Sequence, residues 1–314
     1  MRARAFIVLA AALAWPSMAV GADTLKIASP QRGSWEGAIP ELGRQQGIFQ
    51  KHGLDLDILY TSGAGETLQV VVSGAVDIGL SAGISGVFGA FAKGAPLRII
   101  GASSTGSAET FWYVAAKSPI TSMRAAHDVT IAYSTTGAST HIAVMRFIRE
   151  YGLRARPVAT GNPTATFTQV MTGQVDVGWA VAPFQLDEMA KGDVRFLARG
   201  SDVAAIRGQT IRVQITNAKT LAERADAIRR YLAAYRETVD WMYASPEAVR
   251  RYIAFSGFSE AAVGLMLKDF IPKDSLQIGE IKGIKEATED AIQFKFLTAP
   301  LTDEQLKELI QIPG

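Results

Sequence analysis

The feature that most constrains this chain is a repeat at long range. Gly74-Ala75-Val76-Asp77 returns as Gly173-Gln174-Val175-Asp176, 99 positions later, and a stretch beginning Gln-Val leads into each (Gln69, Gln169). Gly53-Leu54 returns as Gly152-Leu153 at the same offset. Leu25-Lys26-Ile27-Ala28 with Gly33 parallels Val129-Thr130-Ile131-Ala132 with Gly137. Three matches in one order indicate two α/β units of one plan. Two copies are too few for a solenoid, which buries its faces by stacking three or more. A chain of 314 residues also exceeds one ordinary core.

Each unit parses alike. An apolar strand (25–28, 129–133) runs through a Gly/Ser/Thr loop into a helix. A second strand (54–59, 156–159) and helix follow, and Gly-x-Val-Asp opens a third strand (76–80, 175–181). Strands at 97–100 and 194–197 extend the units. β-branched strands alternating with helices predict parallel βαβ packing. Phe111 to Ala115 and Ile211 to Ile215, the latter of alternating polarity, read as strands connecting two lobes. The expected fold class is therefore α/β, with two parallel-type sheets flanked by helices and joined by two hinge strands. Lobe one spans 23–116 and is completed by 213–314; lobe two spans 117–212. Residues 217–314 read as mostly helical, with Thr220/Glu223, Ser245-Pro246 and Thr302/Gln305 as helix starts.

Residues 1–22 read as a signal peptide. Arg2 and Arg4 precede an apolar run from Ala5 to Ala14, and Val20-Gly21-Ala22 supplies small residues for cleavage. The run is too short to span a bilayer. Without Arg2 and Arg4 the 32 basic and 30 acidic residues balance, which gives a nucleic-acid stripe no support. Cysteine is absent and the three histidines (His52, His127, His141) are scattered. Disulfides, thiol nucleophiles and Cys/His metal centres are thereby excluded. No nucleophile elbow, zinc helix or phosphate loop occurs. Asp55 and Asp57 share one face of a strand and read as an exposed face with no catalytic company.

The candidate site lies in the loops after the strands. Ser29 to Trp35, Ser62 to Thr67, Ser81 to Ser85, Tyr133 to Thr140 and Thr160 to Thr164 are rich in hydroxyls and glycine, and each opens a helix. Ligands of parallel α/β sheets bind beyond the carboxyl ends of the strands. Free N–H groups at helix starts, with Ser and Thr beside them, make an anion cradle that needs no Lys or Arg. Ser29, Gln31, Trp35, Ser81, Ser134, Thr136, Gly137, Ser139 and Thr140 are the expected contacts, with the backbone N–H groups of Gly83 and Gly137 assisting and Ala82 beside them. Trp35 and Tyr133 occupy corresponding mouths and could face one another across a planar ligand. Arg32 is the lone cation in these loops. His141 could donate into the site or cap its own helix.

These residues resemble a known family. Gly47-Ile48-Phe49-Gln50-Lys51-His52-Gly53-Leu54, Ser73-Gly74-Ala75-Val76-Asp77-Ile78-Gly79, Lys93-Gly94-Ala95-Pro96, Ser118-Pro119-Ile120, Gly173-Gln174-Val175-Asp176 and Ala182-Pro183-Phe184 resemble the nitrate/sulfonate/taurine-type substrate-binding proteins of ABC importers. The resemblance covers most of 24–215. It implies a periplasmic-binding-protein fold of the second type, closing by hinge motion on a small-molecule solute. Loops at Gln31 to Trp35, Ser62-Gly63, Ser81 to Gly83, Ser134 to Thr140 and Asn162 match the family's binding loops, and Phe184 matches its hinge segment. It further implies a monomeric periplasmic receptor delivering a small organic or inorganic anion to an inner-membrane ABC permease, with no cofactor and no metal. No dedicated Lys or Arg for that anion stands out, so a planar uncharged or aromatic solute (pyrimidine, flavin or aromatic carboxylate) remains the alternative. A pyrimidine-precursor synthase on this fold depends on a cysteine-rich motif that is missing here. The resemblance thus points to binding without a reaction, with an enzyme of the same superfamily as the other alternative.

Overall fold

A computed structural model describes residues 22–276 and 278–313. The signal peptide expected at 1–22 therefore lies, but for Ala22, outside the described residues. The first unit runs β1 (Asp23–Pro30), α1 (Trp35–Gln45), α2 (Ile48–Lys51), β2 (Leu54–Thr61), α3 (Ala64–Val72), β3 (Ile78–Gly83), α4 (Ile84–Ala92) and β4 (Leu97–Thr105). The second runs β5 (Thr110–Ala115), β6 (Val129–Tyr133), α5 (Ser139–Glu150), β7 (Ala155–Ala159), α6 (Pro163–Met171), β8 (Gly178–Val181), α7 (Leu186–Lys191) and β9 (Val194–Arg199). A short helix, α8 (Ala204–Arg207), leads into β10 (Thr210–Asn217). Five helices close the chain: α9 (Ala218–Ala244), α10 (Pro246–Ser256), α11 (Glu260–Asp269), α12 (Ile284–Gln293) and α13 (Asp303–Leu309).

The two sheets have one topology. The first is ordered β2-β1-β3-β10-β4. In the second, β8-β5-β9 and β6-β7 are joined through the Ile131–Val177 bridge, giving β7-β6-β8-β5-β9. Strands from one unit run parallel (β1 with β2 and β3; β6 with β7). The fourth strand of each sheet is antiparallel to both neighbours. The sheets are thus mixed rather than wholly parallel.

That fourth strand also corrects the expected boundary at 116/117. Phe111 to Ala115 pairs on both sides within the second sheet, Trp112 opposite Trp179 and Ala198. Phe111, Trp112, Tyr113 and Val114 are fully buried there. The chain therefore crosses between sheets at 106–109, before β5, and returns at 200–209. Only the pairing distinguishes these positions, because an apolar strand reads the same in either sheet.

The Gly-x-Val-Asp motif is structural in both copies. Gly74 and Gly173 both have φ +74 and follow α3 and α6. Glycine at that position lets a helix end in the left-handed region. Asp77 accepts the Lys26 N–H at 2.8 Å, and Asp176 accepts the Thr130 N–H at 2.8 Å. Each carboxylate satisfies a strand N–H that the sheet leaves without a partner. Paired hydroxyls repeat as well: Thr61 meets Thr67 at 2.6 Å, and Thr160 meets Thr166 at 2.6 Å.

The C-terminal helices complete the first lobe and reach the second. Ala287, Ala291, Leu297, Leu301 and Leu309 share a core with Val87 and Phe88 of α4 and Ile99 of β4. Ser259 Oγ donates to Asp187 of α7 at 2.5 Å, and Arg146 of α5 pairs with the fully buried Asp290 of α12. Ser245 and Thr302 cap as expected. Thr220 does not: Asn217 accepts the Lys219 N–H at 2.9 Å and starts α9 three residues earlier.

Candidate functional site between the lobes

The carboxyl ends of β1 and β3 and the amino end of the antiparallel β10 in the first lobe face the loops after β6 and β8 in the second. The strand pairing sets the floor of the cleft. Arg212 of β10 lies opposite Gly83 of β3, and Val213 opposite Ala82. Arg212 is buried and pairs with Glu109 and, at 3.4 Å, with Glu36. Its Nε and Nη2 also donate to Ser104 Oγ at 3.2 and 2.9 Å. Ser103 Oγ donates to Glu36 at 2.6 Å. Burial works against the Arg212 charge, but Glu109 and Glu36 outweigh it and raise the guanidinium's pKa. Glu109 sits on the first crossing, where its carbonyl accepts the Ala182 N–H of the second lobe at 2.8 Å. The cluster thus joins both lobes, and its two carboxylates exceed its one cation.

Sequence reasoning missed this cluster. Its members come from α1, from β4 and the crossing after it, and from the returning strand, with 73 positions between Glu36 and Glu109 and 103 between Glu109 and Arg212. The available signal was the polar alternation Arg212, Gln214 inside an otherwise apolar strand. Gln214 is buried, and neither side-chain polar atom has a hydrogen-bond partner among the described residues. Gln185 was missed too. It adopts φ +61 just after Phe184, and its Oε1 is buried without a partner.

The expected contacts divide into three groups. Several are spent on local structure. Ser29 Oγ donates to the Gly37 carbonyl at 3.0 Å. Ser62 gives its N–H and hydroxyl to Glu66, each at 2.7 Å. Asn162 caps α6 by accepting the Ala165 N–H at 2.8 Å. Ser134 and Thr140 bond each other, with 2.8 Å between hydroxyls. The dense hydroxyl loop is thus partly an internal staple, in which Ser134 and Thr140 hold each other and one of the two hydroxyls keeps a hydrogen to donate. The Gly137 N–H is similarly taken, by His141 Nδ1 at 3.3 Å.

A second group packs elsewhere. Trp35 is fully buried, edge-on to Tyr252 at 4.8 Å and Tyr243 at 5.7 Å. It starts α1, and its ring turns down onto α9 and α10. No ring contact joins it to Tyr133, so the facing aromatic clamp is corrected. Tyr133 instead stacks on His141 at 4.2 Å. Phe296 meets the other side of His141 at 5.7 Å, and burial lowers the imidazole's pKa to about 4. His141 is therefore neutral at pH 7. Arg32 is exposed, its guanidinium 5.0 Å from the Phe255 ring and 5.8 Å from Tyr60. Phe184 meets Phe258 at 5.0 Å, and both rings border Gly33.

A third group meets in the cleft. Gln31 and Ser81 adopt φ +53 and +54, as Gln185 does at +61. Non-glycine residues pay strain there, which the surrounding fold must impose. Ser81 and Ser139 are buried, and their hydroxyls bond to no protein group among the described residues. Gly83 and Gly86 abut Gly137 and Ala138, which sets the neighbouring Ser81 and Ser139 beside the seam where the lobes touch. A cavity of about 310 Å³ opens along that seam, lined by Gly83, Gly86, Gly89, Thr136, Gly137 and Phe296 among others. Among the described residues, no group of three His, Asp or Glu side chains is placed to hold a metal ion, and no helix is long and apolar enough to cross a membrane.

Two similar lobes, joined by two crossings with polar groups converging between them, define the periplasmic-binding-protein fold. The alkanesulfonate-binding protein SsuA from Xanthomonas axonopodis pv. citri, solved with MOPS, is similar over 92% of this chain and 98% of its own, with TM-score 0.78 and 16% identity. The nitrate-binding protein NrtA from Synechocystis PCC 6803 is similar over 92% of this chain and 86% of its own, with TM-score 0.66 and 12% identity. At these identities the likeness is one of fold.

Residues 42–249 match the NMT1/THI5-like family, and the chain belongs to it. A Candida albicans 4-amino-5-hydroxymethyl-2-methylpyrimidine phosphate synthase is 25% identical over 230 residues, covering 68% of this chain and 66% of the synthase. The chain thus matches just under two thirds of that relative's length. Saccharomyces cerevisiae synthases of the same name are 22% identical over 228 residues. These matches overturn the expectation of binding without a reaction. Missing cysteine removes one catalytic motif, but the curated relatives of this chain are named as enzymes.

Proposed function

We propose that this chain binds a small planar heterocycle of the pyrimidine class, uncharged or proton-bearing, between its two lobes. The observation that carries the reading is the charge balance on the cleft floor. Arg212, the buried guanidinium beside Gly83, is matched by Glu36 and Glu109. An anion such as a sulfonate or nitrate would meet an excess of buried negative charge on that floor. A neutral heterocycle meets no such penalty. Its ring nitrogens and amino groups suit the unpartnered Ser81 and Ser139 hydroxyls and the Gln185 carbonyl. Gln31, Ser81, Ser139 and Gln185 are the proposed contacts. The synthase relatives, named for a pyrimidine phosphate, support the pyrimidine ring of that class, though not its lack of charge.

The leader read at 1–22 and the fold's likeness to importer components support an exported protein that delivers its ligand to a membrane permease. The test is calorimetric titration with 4-amino-5-hydroxymethyl-2-methylpyrimidine, its phosphate, MOPS and nitrate, with mass spectrometry of the recovered ligands. The pyrimidine is expected to bind and to raise the melting temperature; at 100 times Kd it adds about 2.7 kcal/mol. Response to MOPS or nitrate alone would overturn the reading. A pyrimidine consumed during incubation assigns the site chemistry as well as binding.

A further inference from the structure

One face of α4 carries three glycines. Gly83 caps the helix, and Gly86 and Gly89 follow at three-residue steps, which aligns them on one side. None of them uses the left-handed region: Gly83 has φ −66, and the other two are absent from the positive-φ glycines. Glycine inside a helix weakens it relative to alanine. Backbone conformation does not require it here, so the reason lies in what the face touches.

It touches backbone. An added Cβ at Gly83 would stand 2.3 Å from the Gly137 carbonyl oxygen, and one at Gly86 3.0 Å from the same oxygen. At Gly89 it would stand 2.8 Å from the Phe296 carbonyl oxygen. The fit is reciprocal, since a Cβ at Gly137 would lie 2.9 Å from the Gly86 Cα. Backbone cannot swing aside as a side-chain tip does. Gly137 belongs to the second lobe and Gly83 and Gly86 to the first. At the end of the row the Gly65 N–H donates across the gap to Thr135 Oγ1 at 3.1 Å.

We propose that this glycine row is the stop that sets how far the two lobes close. Without side chains the Gly137 peptide seats on α4 and the cleft shuts. A single methyl at Gly83 or Gly86 halts the second lobe short of its seat and empties the closed state. The device holds whatever occupies the cleft.

The chain has no cysteine, so two introduced thiols can carry spin labels without interference. Asp57→Cys and Gln174→Cys put them on exposed positions of the two lobes. Double electron–electron resonance then reads the lobe separation directly, before any ligand is added. Gly86→Ala is expected to reduce the short-distance population of the parent at least several-fold, with the melting temperature unchanged or raised. Gly83→Ala should act likewise. Gly264→Ala, in α11 where an added Cβ meets nothing within 4 Å, is the control; it should leave the distances unchanged. The proposal fails if both row variants keep the parent's short-distance population. It fails equally if the parent has no such population, or if Gly86→Ala melts several degrees lower at unchanged distances, since the row would then merely pack the lobe.

Discussion

At the scale of single residues, charge is the quantity that decides. Arg212 sits where two buried carboxylates need it. Arg212→Met is expected to cost about 3–5 kcal/mol, because it leaves Glu36 and Glu109 buried without a counter-charge. Urea denaturation measures this; a loss below about 1 kcal/mol would show that the cluster is more hydrated than its burial implies. His141 makes a separate prediction, through pH. Its folded pKa lies near 4, below the ordinary 6.5, because it is buried. Between those values the unfolded chain binds a proton that the folded chain refuses. Stability from this group is therefore full above about pH 6.5 and is lost as pH falls toward 4. Once the constant offset from the lost ring contacts is subtracted, the melting temperatures of the parent and of His141→Gln should coincide above about pH 6.5 and diverge most near pH 4, with the parent falling. Parallel profiles would remove His141 as the source.

At the scale of elements, the repeat explains most of what the sequence could reveal. Gly74 and Gly173 end equivalent helices at φ +74. Alanine in the left-handed region costs roughly 1–2 kcal/mol. Gly74→Ala and Gly173→Ala should each lower stability by that amount, and the double variant by about their sum, since the sites lie in different lobes. Denaturant midpoints check both figures; strong non-additivity would mean that the copies communicate. Strands and helices were legible because their signals are local: apolar runs of β-branched residues, a glycine after each helix, an aspartate before each third strand. Sheet membership of Phe111 to Ala115 was not, since pairing partners leave no mark on the strand itself. The hydroxyl loops follow their strands as the sequence indicates, and several of their side chains are engaged in local hydrogen bonds that the sequence does not reveal. Whether Ser134 faces a ligand or Thr140 depends on the helix turning back six residues later. Trp35 failed as a cleft aromatic for the same kind of reason, because α10, some two hundred residues away, supplies the pocket that takes its ring.

At the scale of the whole molecule, the C-terminal third is part of the first lobe and a tie to the second. Ending the chain at Gly283 would remove α12 and α13, with Ala287, Ala291, Leu297, Leu301 and Leu309 from the core against α4 and β4. Each buried leucine contributes about 1.5–3 kcal/mol, so the loss approaches the full stability of an ordinary domain. The shortened chain is expected to lose the parent's transition at its midpoint, by circular dichroism against temperature, and to keep at most that of the second lobe. A sharp transition at the parent's midpoint would show that the first lobe stands without these helices.

The topology of the first sheet has a further consequence, for the order in which the protein is made. β10 lies between β3 and β4, so Ala82 waits for Val213. The second sheet needs only residues from Thr110 to Arg199, one unbroken stretch. A ribosome or an export pore delivers a chain from its N-terminus, and units fold as their residues emerge. The second sheet can be complete while the first still holds a gap at its centre, with β3 and β4 each offering an unpaired edge to any other strand. Anything that guards this chain during synthesis must guard those two edges until Asn217 arrives. The half of the molecule that is written first is the half that is finished last.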